Sequence, residues 1–420
     1  MSSAKSPFNR IKASLRAAAL LFLFNGFASA NENVLIPGDG NAPMPVATEP
    51  GPETPVAAPA SAPAVPLKDA VTVAVRAPRP IHMLGEVVLP GTSMRLSWTA
   101  TELFEGVPVS TPVLVVNGNL PGPTLCLTAA IHGDELNGIE VVRRVMHDLS
   151  PDRLAGTVIG VPIVNLQGFR RGSRYLPDRR DLNRYFPGNP RGSAASRIAY
   201  SFFREVITHC SALVDLHTGS FERANLPQLR ADLRNPDIVT LTQGFGATVI
   251  VHSGPAQGTL RHAATVAGIP AVTLEAGGPS ELELTEVKHS VKGIETLLNT
   301  LGMLRKMRLW GDSEPVYYRS TWVRANRGGI LLSDVGLGST VREGDLLGTI
   351  TDPISNDSTR VYSPYSGRII GMARNQIVMP GFAAFHLGIQ SDQAPSDDGQ
   401  GDVGSDEQDG SDDYVDGMSE

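Results

Sequence analysis

The 420-residue chain has little cysteine, no long hydrophobic run and no concentration of basic residues. Its two cysteines, Cys126 and Cys210, are spaced too far apart to form a cysteine-based zinc motif. An apolar segment at residues 17–27 is about eleven residues long, which is too short for a comfortable membrane span. Since no basic patch is interleaved with aromatic residues, nothing in the sequence indicates nucleic-acid binding.

The N-terminal segment has the pattern of an export signal. Four basic residues precede the apolar segment, and Ala28-Ser29-Ala30 follows it with the small residues that a signal peptidase reads. We therefore predict that residues 1–30 are cleaved and that the protein is periplasmic or secreted. The alternative is an uncleaved membrane anchor, and only in that case do we expect a membrane partner. No cysteine lies directly after the predicted signal, so a lipoprotein is not expected.

Two further segments have compositions that do not favour a folded core. Residues 31–79 are rich in Pro and Ala, and we predict an extended linker there. From Asp392 to the end, the chain holds nine Asp and two Glu without Lys or Arg, so residues 391–420 are predicted to be a solvated acidic tail. The formal net charge of -7 comes largely from that tail, and the region between is close to neutral.

The rest of the chain divides into two patterns. Between residues 80 and 309, short β-rich runs alternate with helix-like runs. The runs expected as strands are 113–116, 124–131, 158–164, 212–216, 248–251 and 271–274; those expected as helices are 135–149, 193–208, 238–245, 259–267 and 281–301. This alternation predicts an α/β domain with a mixed, mostly parallel sheet and flanking helices. Residues 310–390 are dense in Val, Ile, Gly and turns, which predicts a small all-β sandwich or barrel.

The two cysteines allow two interpretations. In an oxidising compartment they could form a disulfide. Because both lie at or next to apolar, strand-like runs, we favour two buried thiols.

Polar residues with metal-binding chemistry follow two of the apolar runs. His132 and Glu135 lie three residues apart at a strand-to-helix turn, where both side chains can reach one point. His217 ends a second run, and two His with one Glu would leave a coordination position for water. Taken alone, the first pair could be an ordinary helix N-terminus. Asp215 lies two residues before His217 and could orient it, or it could be a buried, hydrogen-bonded acid.

Three more segments carry residues suited to hydrolysis. Glu275 ends an apolar run among small residues, where it could act as a proton carrier or simply pair with an Arg. Residues 174–188 form a polar loop with four Arg, which can bind carboxylates or stabilise an oxyanion, or can be an exposed surface loop. Arg223 and Arg230 follow His217 and could bind acidic groups of a substrate or belong to a solvated loop.

The order of these motifs resembles the succinylglutamate desuccinylase/aspartoacylase family, within the zinc carboxypeptidase-like enzymes. The segments that carry the resemblance are His-Gly-Asp-Glu at 132–135, Asp-Leu-Asn-Arg-x-Phe-Pro-Gly at 181–188, Asp-Leu-His-Thr-Gly at 215–219 and Leu-Glu-Ala-Gly-Gly at 274–278. The resemblance extends over about residues 80–390. The C-terminal region resembles a biotinyl/lipoyl-type sandwich but lacks the Lys between two Met, so we expect no lipoylation.

The resemblance implies a role for each matching residue. His132, Glu135 and His217 would bind one Zn²⁺ per chain, and Glu275 would be the general base. Asn183 and Arg184 would grip a carboxylate of the substrate. Arg174 is the preferred match for the arginine that polarises the carbonyl, and Arg180 is the second choice because this loop is longer than in aspartoacylase.

Three functional hypotheses follow from the sequence. The first is an exported zinc amidohydrolase that removes the acyl group from an N-acylated amino acid or a similar small amide. The second is a zinc carboxypeptidase acting on peptides or peptidoglycan stems. The third is a non-catalytic envelope binding protein, which the retention of every expected ligand disfavours. The export signal separates this chain from the better-known cytoplasmic members, so the substrate is less defined than the chemistry.

Overall fold

The computed structural model describes residues 78–100, 109–305 and 314–390. The predicted signal, the linker up to residue 77, the predicted boundary at residues 309/310 and the acidic tail all lie outside this set. The described residues belong to one compact unit. Within them, no helix combines the length and the apolar character needed to cross a membrane.

Strands occur throughout the described part of the chain. In order they are β1 (Ile81–Met83), β2 (Glu86–Val88), β3 (Thr92–Ala100), β4 (Val109–Asn117), β5 (Leu120–Ala129), β6 (Ala155–Val161), β7 (Ala212–His217), β8 (Arg223–Ala231), β9 (Val249–His252), β10 (Ala271–Gly277), β11 (Val316–Tyr317), β12 (Arg319–Arg324), β13 (Gly329–Ser333), β14 (Thr340–Val341), β15 (Leu346–Thr351), β16 (Ser358–Tyr362), β17 (Gly367–Ala373), β18 (Gln376–Val378) and β19 (Ala383–Ile389).

The helices lie between the strands of the first part of the chain. They are α1 (Leu136–Asp148), α2 (Leu166–Arg170), α3 (Ala194–Glu205), α4 (Pro236–Gln243), α5 (Leu260–Val266) and α6 (Leu284–Thr300), with short 3-10 turns at Pro151–Arg153, Leu182–Arg184 and Ile207–His209. Side chains of Asn165, Ser193, Asn235 and Thr259 accept backbone N–H donors at the starts of α2, α3, α4 and α5. These caps satisfy donors that have no partner inside the helix, which explains why the helices begin there.

Most strands form one mixed sheet with the order β12-β19-β17-β8-β10-β7-β5-β6-β4-β3. The pairs β10-β7, β7-β5 and β5-β6 are parallel, and antiparallel pairs flank them on both sides. Along this order the parallel pairs therefore lie together at the centre, while β9, which lies off this path, also pairs in parallel with β8 and β11. Because parallel strands end at the same edge, their carboxyl ends gather β5, β7 and β10 around one place.

The two faces of this sheet are covered by different helices. Leu125 and Leu127 face a core that includes residues of α1, α4 and α6, whereas Cys126 faces residues of α3 and α5. Successive residues of a strand point to opposite faces, so a strand buried on both sides is continuously apolar. This explains why residues 125–131 appear as one apolar run in the sequence.

A four-stranded antiparallel sheet, β16-β15-β13-β18, packs against strands β17 and β19 of the large sheet. Leu331, Leu347 and Phe385 belong to the core between them. Strand β17 pairs with β8, which joins the C-terminal part of the chain to the strands that carry the site. The predicted α/β class with a mixed sheet and a small C-terminal β region is confirmed.

Two expectations differ from the structure. Cys126 and Cys210 form a disulfide with their Cα atoms 5.6 Å apart, so the favoured interpretation of two buried thiols is wrong. Both cysteines are buried as expected, but β5 and the turn before β7 bring them together. Residues 223–230, considered as a possible solvated loop, belong to the buried strand β8. Because Arg223 and Arg230 are charged, the segment lacks the apolar pattern that indicates a buried strand.

Candidate metal centre

His132, Glu135, His217 and Glu275 meet at the carboxyl edge of the central strands. His132 comes three residues after β5, and His217 is the last residue of β7. Glu275 of β10 lies beside His217 in the strand register. The predicted convergence of strand-end side chains is what this topology produces.

The turn between β5 and α1 has a backbone that fixes the first two ligands. Ala130 adopts a left-handed conformation with φ of 50°, and its carbonyl accepts the N–H of Asn165. Gly133 packs so closely on Gly168 that a Cβ would lie 2.1 Å from a backbone carbon. Glu135 is the N-cap residue of α1, although its side chain makes no capping bond. That side chain instead points to the histidines.

Three candidate ligand groups, two imidazoles and one carboxylate, form a small triangle. His132 Nδ1 lies 2.8 Å from Glu135 Oε1, and His217 Nδ1 lies 3.0 Å from Glu135 Oε2. The two Nδ1 atoms are 3.2 Å apart. All three side chains are buried, and the backbone N–H of Thr218 also donates to Glu135 Oε2.

The far nitrogen of each histidine contacts a carboxylate. His132 Nε2 lies 3.1 Å from Asp181 Oδ1, and His217 Nε2 lies 2.9 Å from Asp215 Oδ2. An ionised carboxylate only accepts hydrogen bonds, so each Nε2 carries the proton. With a metal ion bound, each ring would be neutral and would present the lone pair of Nδ1 to the triangle. Such a carboxylate behind a ligating histidine fixes its tautomer and orientation.

This arrangement fits a divalent metal ion. Two imidazole lone pairs facing each other at 3.2 Å repel unless a positive charge lies between them. Two nitrogens and a carboxylate are the protein ligand set of a catalytic zinc site, which keeps a further position open. Within the described residues, His132, Glu135 and His217 are the group of His, Cys, Asp or Glu side chains that can hold such an ion.

The pKa shifts of the buried groups also favour a bound cation. Burial opposes ionisation of His217, but the carboxylates of Asp215 and Glu135 outweigh it and raise the pKa of His217 well above its ordinary value. Burial likewise opposes ionisation of Glu135, yet His132 and His217 lower its pKa. The surroundings therefore stabilise positive charge at this point, which is what a bound cation requires.

Glu275 is held beside the ligands but is not one of the triangle. Its Oε2 accepts a hydrogen bond of 3.1 Å from Asn225 Nδ2, and its Oε1 lies 3.5 Å from Arg230 Nε. The residue is 9% exposed and lines the cavity that His132, Glu135 and His217 also line. A carboxylate in this position can exchange protons with a small molecule in the cavity.

The two arginines considered for carbonyl polarisation lie in different surroundings. Arg174 is buried at the site, where it donates to Glu135 Oε1 at 3.1 Å and to Ser220 Oγ at 2.9 Å. Arg180 lies outside the cavity lining; its side chain is 43% exposed and pairs with Asp178. The structure therefore brings Arg174, and not Arg180, to the metal ligands.

Asn183 and Arg184 also line the cavity. Asp181 caps the short 3-10 turn that carries them by accepting the N–H of Asn183. Asn183 Oδ1 accepts the N–H of Leu260 at 2.9 Å, so its amide NH2 is the group that can donate to a ligand. Together with the Arg184 guanidinium, this makes a donor pair suited to a carboxylate.

The remaining two predicted binding residues lie behind the cavity wall. Arg223 is fully buried, with its Nε donating to the Ser220 carbonyl and its guanidinium over the Trp322 and Phe382 rings. Arg230 approaches the site through Glu275 rather than by lining the cavity. Aromatic faces and a carboxylate compensate the burial of these charges.

The cavity itself is narrow. It offers about 20 Å³ to the centre of a water molecule, which is room for one or two waters. Thr218, Gly219, Ser220, Asn225 and Thr273 complete its lining.

Sequence reasoning missed three participants. Asp181 supports His132, Ser220 supports Arg174, and Asn225 supports Glu275. Asp181 had a signal, because an Asp two residues before Asn183 is a typical cap of a short turn. Ser220 and Asn225 had none, since their contacts join residues 46 and 50 positions apart along the chain.

Known proteins are similar to this chain in sequence and in fold. A family model described as the succinylglutamate desuccinylase/aspartoacylase catalytic domain matches residues 121–301. The chain is 28% identical over 285 residues to the N-alpha-acetyl-L-2,4-diaminobutyric acid deacetylase of Halomonas elongata, which covers 64% of this chain and 79% of that protein.

Solved structures of similar proteins have a similar fold. A succinylglutamate desuccinylase from Silicibacter sp. TM1040 superposes with a TM-score of 0.64 at 25% identity, covering 74% of this chain and 98% of that one. The product-bound ectoine utilization protein EutE (DoeB) from Ruegeria pomeroyi matches with the same TM-score, identity and coverage.

Proposed function

The chain belongs to the succinylglutamate desuccinylase/aspartoacylase family, and from this premise we propose that it is a zinc-dependent deacylase of small N-acyl amino acids. It is a metal-dependent hydrolase of amide C–N bonds with a His-Glu-His metal site. The proposal adds the identity of the ion, one Zn²⁺ per chain, the roles of individual residues and the place where the enzyme works.

The observation that carries the proposal is the orientation of the two histidines. Asp181 and Asp215 hold the Nε2 protons, so both Nδ1 atoms converge with Glu135. A zinc ion at this point would supply a Lewis acid that polarises an amide carbonyl and lowers the pKa of water.

We assign proton transfer, charge stabilisation and substrate binding to different residues around this point. Glu275 takes a proton from the attacking water and returns it to the departing amine nitrogen. The Arg174 guanidinium donates hydrogen bonds to the negative charge that develops on the carbonyl oxygen. Asn183 and Arg184 bind a carboxylate of the amino-acid part, which orients the scissile amide. Each of these four side chains lines the same cavity.

The substrate class is an amide with a free carboxylate and a small acyl group. The related deacetylase from Halomonas elongata acts on N-alpha-acetyl-L-2,4-diaminobutyric acid by its name, and other relatives are named succinylglutamate desuccinylases. The Asn183 and Arg184 donors support recognition of a carboxylate here.

Export is part of the proposal. The N-terminal sequence has the pattern of a cleaved signal, and the Cys126–Cys210 disulfide suits an oxidising compartment. Cell fractionation with N-terminal sequencing tests this point. We expect a periplasmic or secreted protein beginning after Ala30, whereas an intact N-terminus in the cytoplasmic fraction would contradict it.

A substrate panel tests the activity. The exported form is assayed with N-acetyl, N-succinyl and longer N-acyl amino acids beside short peptides and muropeptides, with and without a chelator. We expect chelator-sensitive release of free amine from the N-acyl amino acids. Preferential cleavage of peptides would favour the carboxypeptidase, and no cleavage with no bound metal would favour a binding protein.

A further inference from the structure

The C-terminal part of the chain reaches the catalytic sheet through strand β17. Residues 371–373 of β17 pair with residues 223–225 of β8, and Gly371 is the partner of Asn225. Strand β8 in turn pairs with β10, which carries Glu275. A contact made by β17 is therefore one strand away from the proposed general base.

Strand β8 supplies a contact to each oxygen of the Glu275 carboxylate. Asn225 Nδ2 donates to Oε2 at 3.1 Å, and Arg230 Nε lies 3.5 Å from Oε1. Asn225 is 1% exposed and Arg230 is 5% exposed, so water does not readily replace either contact. Two partners on two oxygens restrict rotation of the carboxylate group.

Gly371 determines the space that the Asn225 amide occupies. A Cβ on Gly371 would lie 2.6 Å from Asn225 Oδ1 and 3.2 Å from His386 Cβ. The first distance is too short for non-bonded atoms, so a larger residue would displace the amide. Because Oδ1 and Nδ2 belong to one rigid group, that displacement would also move the donor away from Glu275.

We propose that Asn225 is a positioning residue for Glu275, and that Gly371 of β17 keeps the Asn225 amide in the orientation this requires. Strand β17 thereby determines the orientation of the proton-transferring Glu275 carboxylate. This inference rests on the proposed function, in which Glu275 moves the proton. Misplacing a catalytic group by about 1 Å can cost on the order of 100-fold in rate.

Gly371→Ala is a suitable test because the clash involves the end of a flexible side chain. Asn225 can rotate away, so we expect the variant to fold while its amide moves. Gly336→Ala is the matched control, since a Cβ there would meet no atom closer than 4.0 Å. Asn225→Ala and the double variant complete a double-mutant cycle. Each holoenzyme is assayed for kcat, KM, bound metal and thermal unfolding with its best N-acyl amino acid.

We expect Gly371→Ala and Asn225→Ala each to lower kcat by roughly 10–100-fold, with KM within about threefold of wild type and metal content unchanged. The double variant should be no worse than Asn225→Ala alone by more than about twofold, because both changes act through one contact. Gly336→Ala should match wild type.

Unchanged kcat in Asn225→Ala, or additive losses in the double variant, would overturn the proposal. If Gly371→Ala does not fold, Asn225→Asp decides the role of Asn225, since it keeps the shape but replaces the donor with a charge that repels Glu275; wild-type kcat in that variant would overturn the proposal. A wild-type enzyme without activity on any N-acyl amino acid would refute the proposed function itself, and this role with it.

Discussion

Asp215 should control metal affinity without touching the metal. Its Oδ2 accepts from His217 Nε2 at 2.9 Å, while Thr128 Oγ1 donates to its Oδ1 at 2.6 Å. Asp215 is 1% exposed, so water does not readily substitute for the lost acceptor. In Asp215→Ala, the His217 ring loses the partner that fixes its tautomer and presents Nδ1 to the triangle.

The expected size follows from the position of this contact. Removing a carboxylate behind a ligating histidine typically weakens metal binding by about 10–100-fold, which corresponds to about 1.4–2.7 kcal/mol. Asp215→Asn keeps an acceptor oxygen and should lie nearer the lower end. Thr128→Val removes only the hydroxyl that orients Asp215 and should cost less than either.

The assay is competition for Zn²⁺ against a chromophoric chelator, with circular dichroism to confirm that each variant is folded. The reasoning fails if Asp215→Ala binds zinc within twofold of wild type. It also fails if Thr128→Val weakens binding more than Asp215→Ala does, because the order of the effects follows from the order of the contacts.

The remaining predictions concern a matched arginine pair, the disulfide and acid stability. Arg174→Ala should lower kcat/KM by about 100–1,000-fold, whereas Arg180→Ala, which alters an exposed side chain, should stay within about twofold in the same steady-state assay. Replacing Cys126 and Cys210 by Ala opens a loop with a sequence separation of 84 and should lower the free energy of unfolding in urea by about 4.5 kcal/mol in the chain-entropy model. Burial lowers the pKa of His289 to about 4, so the unfolded chain binds this proton first and stability should fall as pH drops from about 6.5 to 4. His289→Gln should flatten that part of the thermal unfolding profile.

Each of these has a contradicting result. Equal losses in the two arginine variants would remove Arg174 from carbonyl polarisation. Two titratable thiols in the native protein would disprove the disulfide. An unchanged acid profile in His289→Gln would assign the acid loss to other groups.

The strand-end residues were predictable because of simple geometry. Parallel strands buried on both faces appear as apolar runs, and polar residues that end them gather at one edge of the sheet. His132, His217 and Glu275 follow this rule, so their approach to one another could be predicted from the sequence.

The supporting residues Ser220 and Asn225 were not predictable for the same reason that β8 was not. Residues 223–230 carry two charged side chains. Their burial in strand β8 depends on contacts of Arg223 with aromatic rings and of Arg230 with Glu275. The pairing of β8 with β17 is a contact between residues about 150 positions apart along the chain, and no local pattern encodes it. The disulfide depends in the same way on tertiary packing.

The most direct test of the central claim compares wild type with Glu275→Gln, with the bound metal of both measured by elemental analysis. The account predicts about one zinc per chain in each protein, loss of wild-type activity with a chelator and its return with zinc, and a kcat for Glu275→Gln lower by at least about 100-fold. Wild-type turnover in the metal-free protein, or in metal-loaded Glu275→Gln, would contradict it.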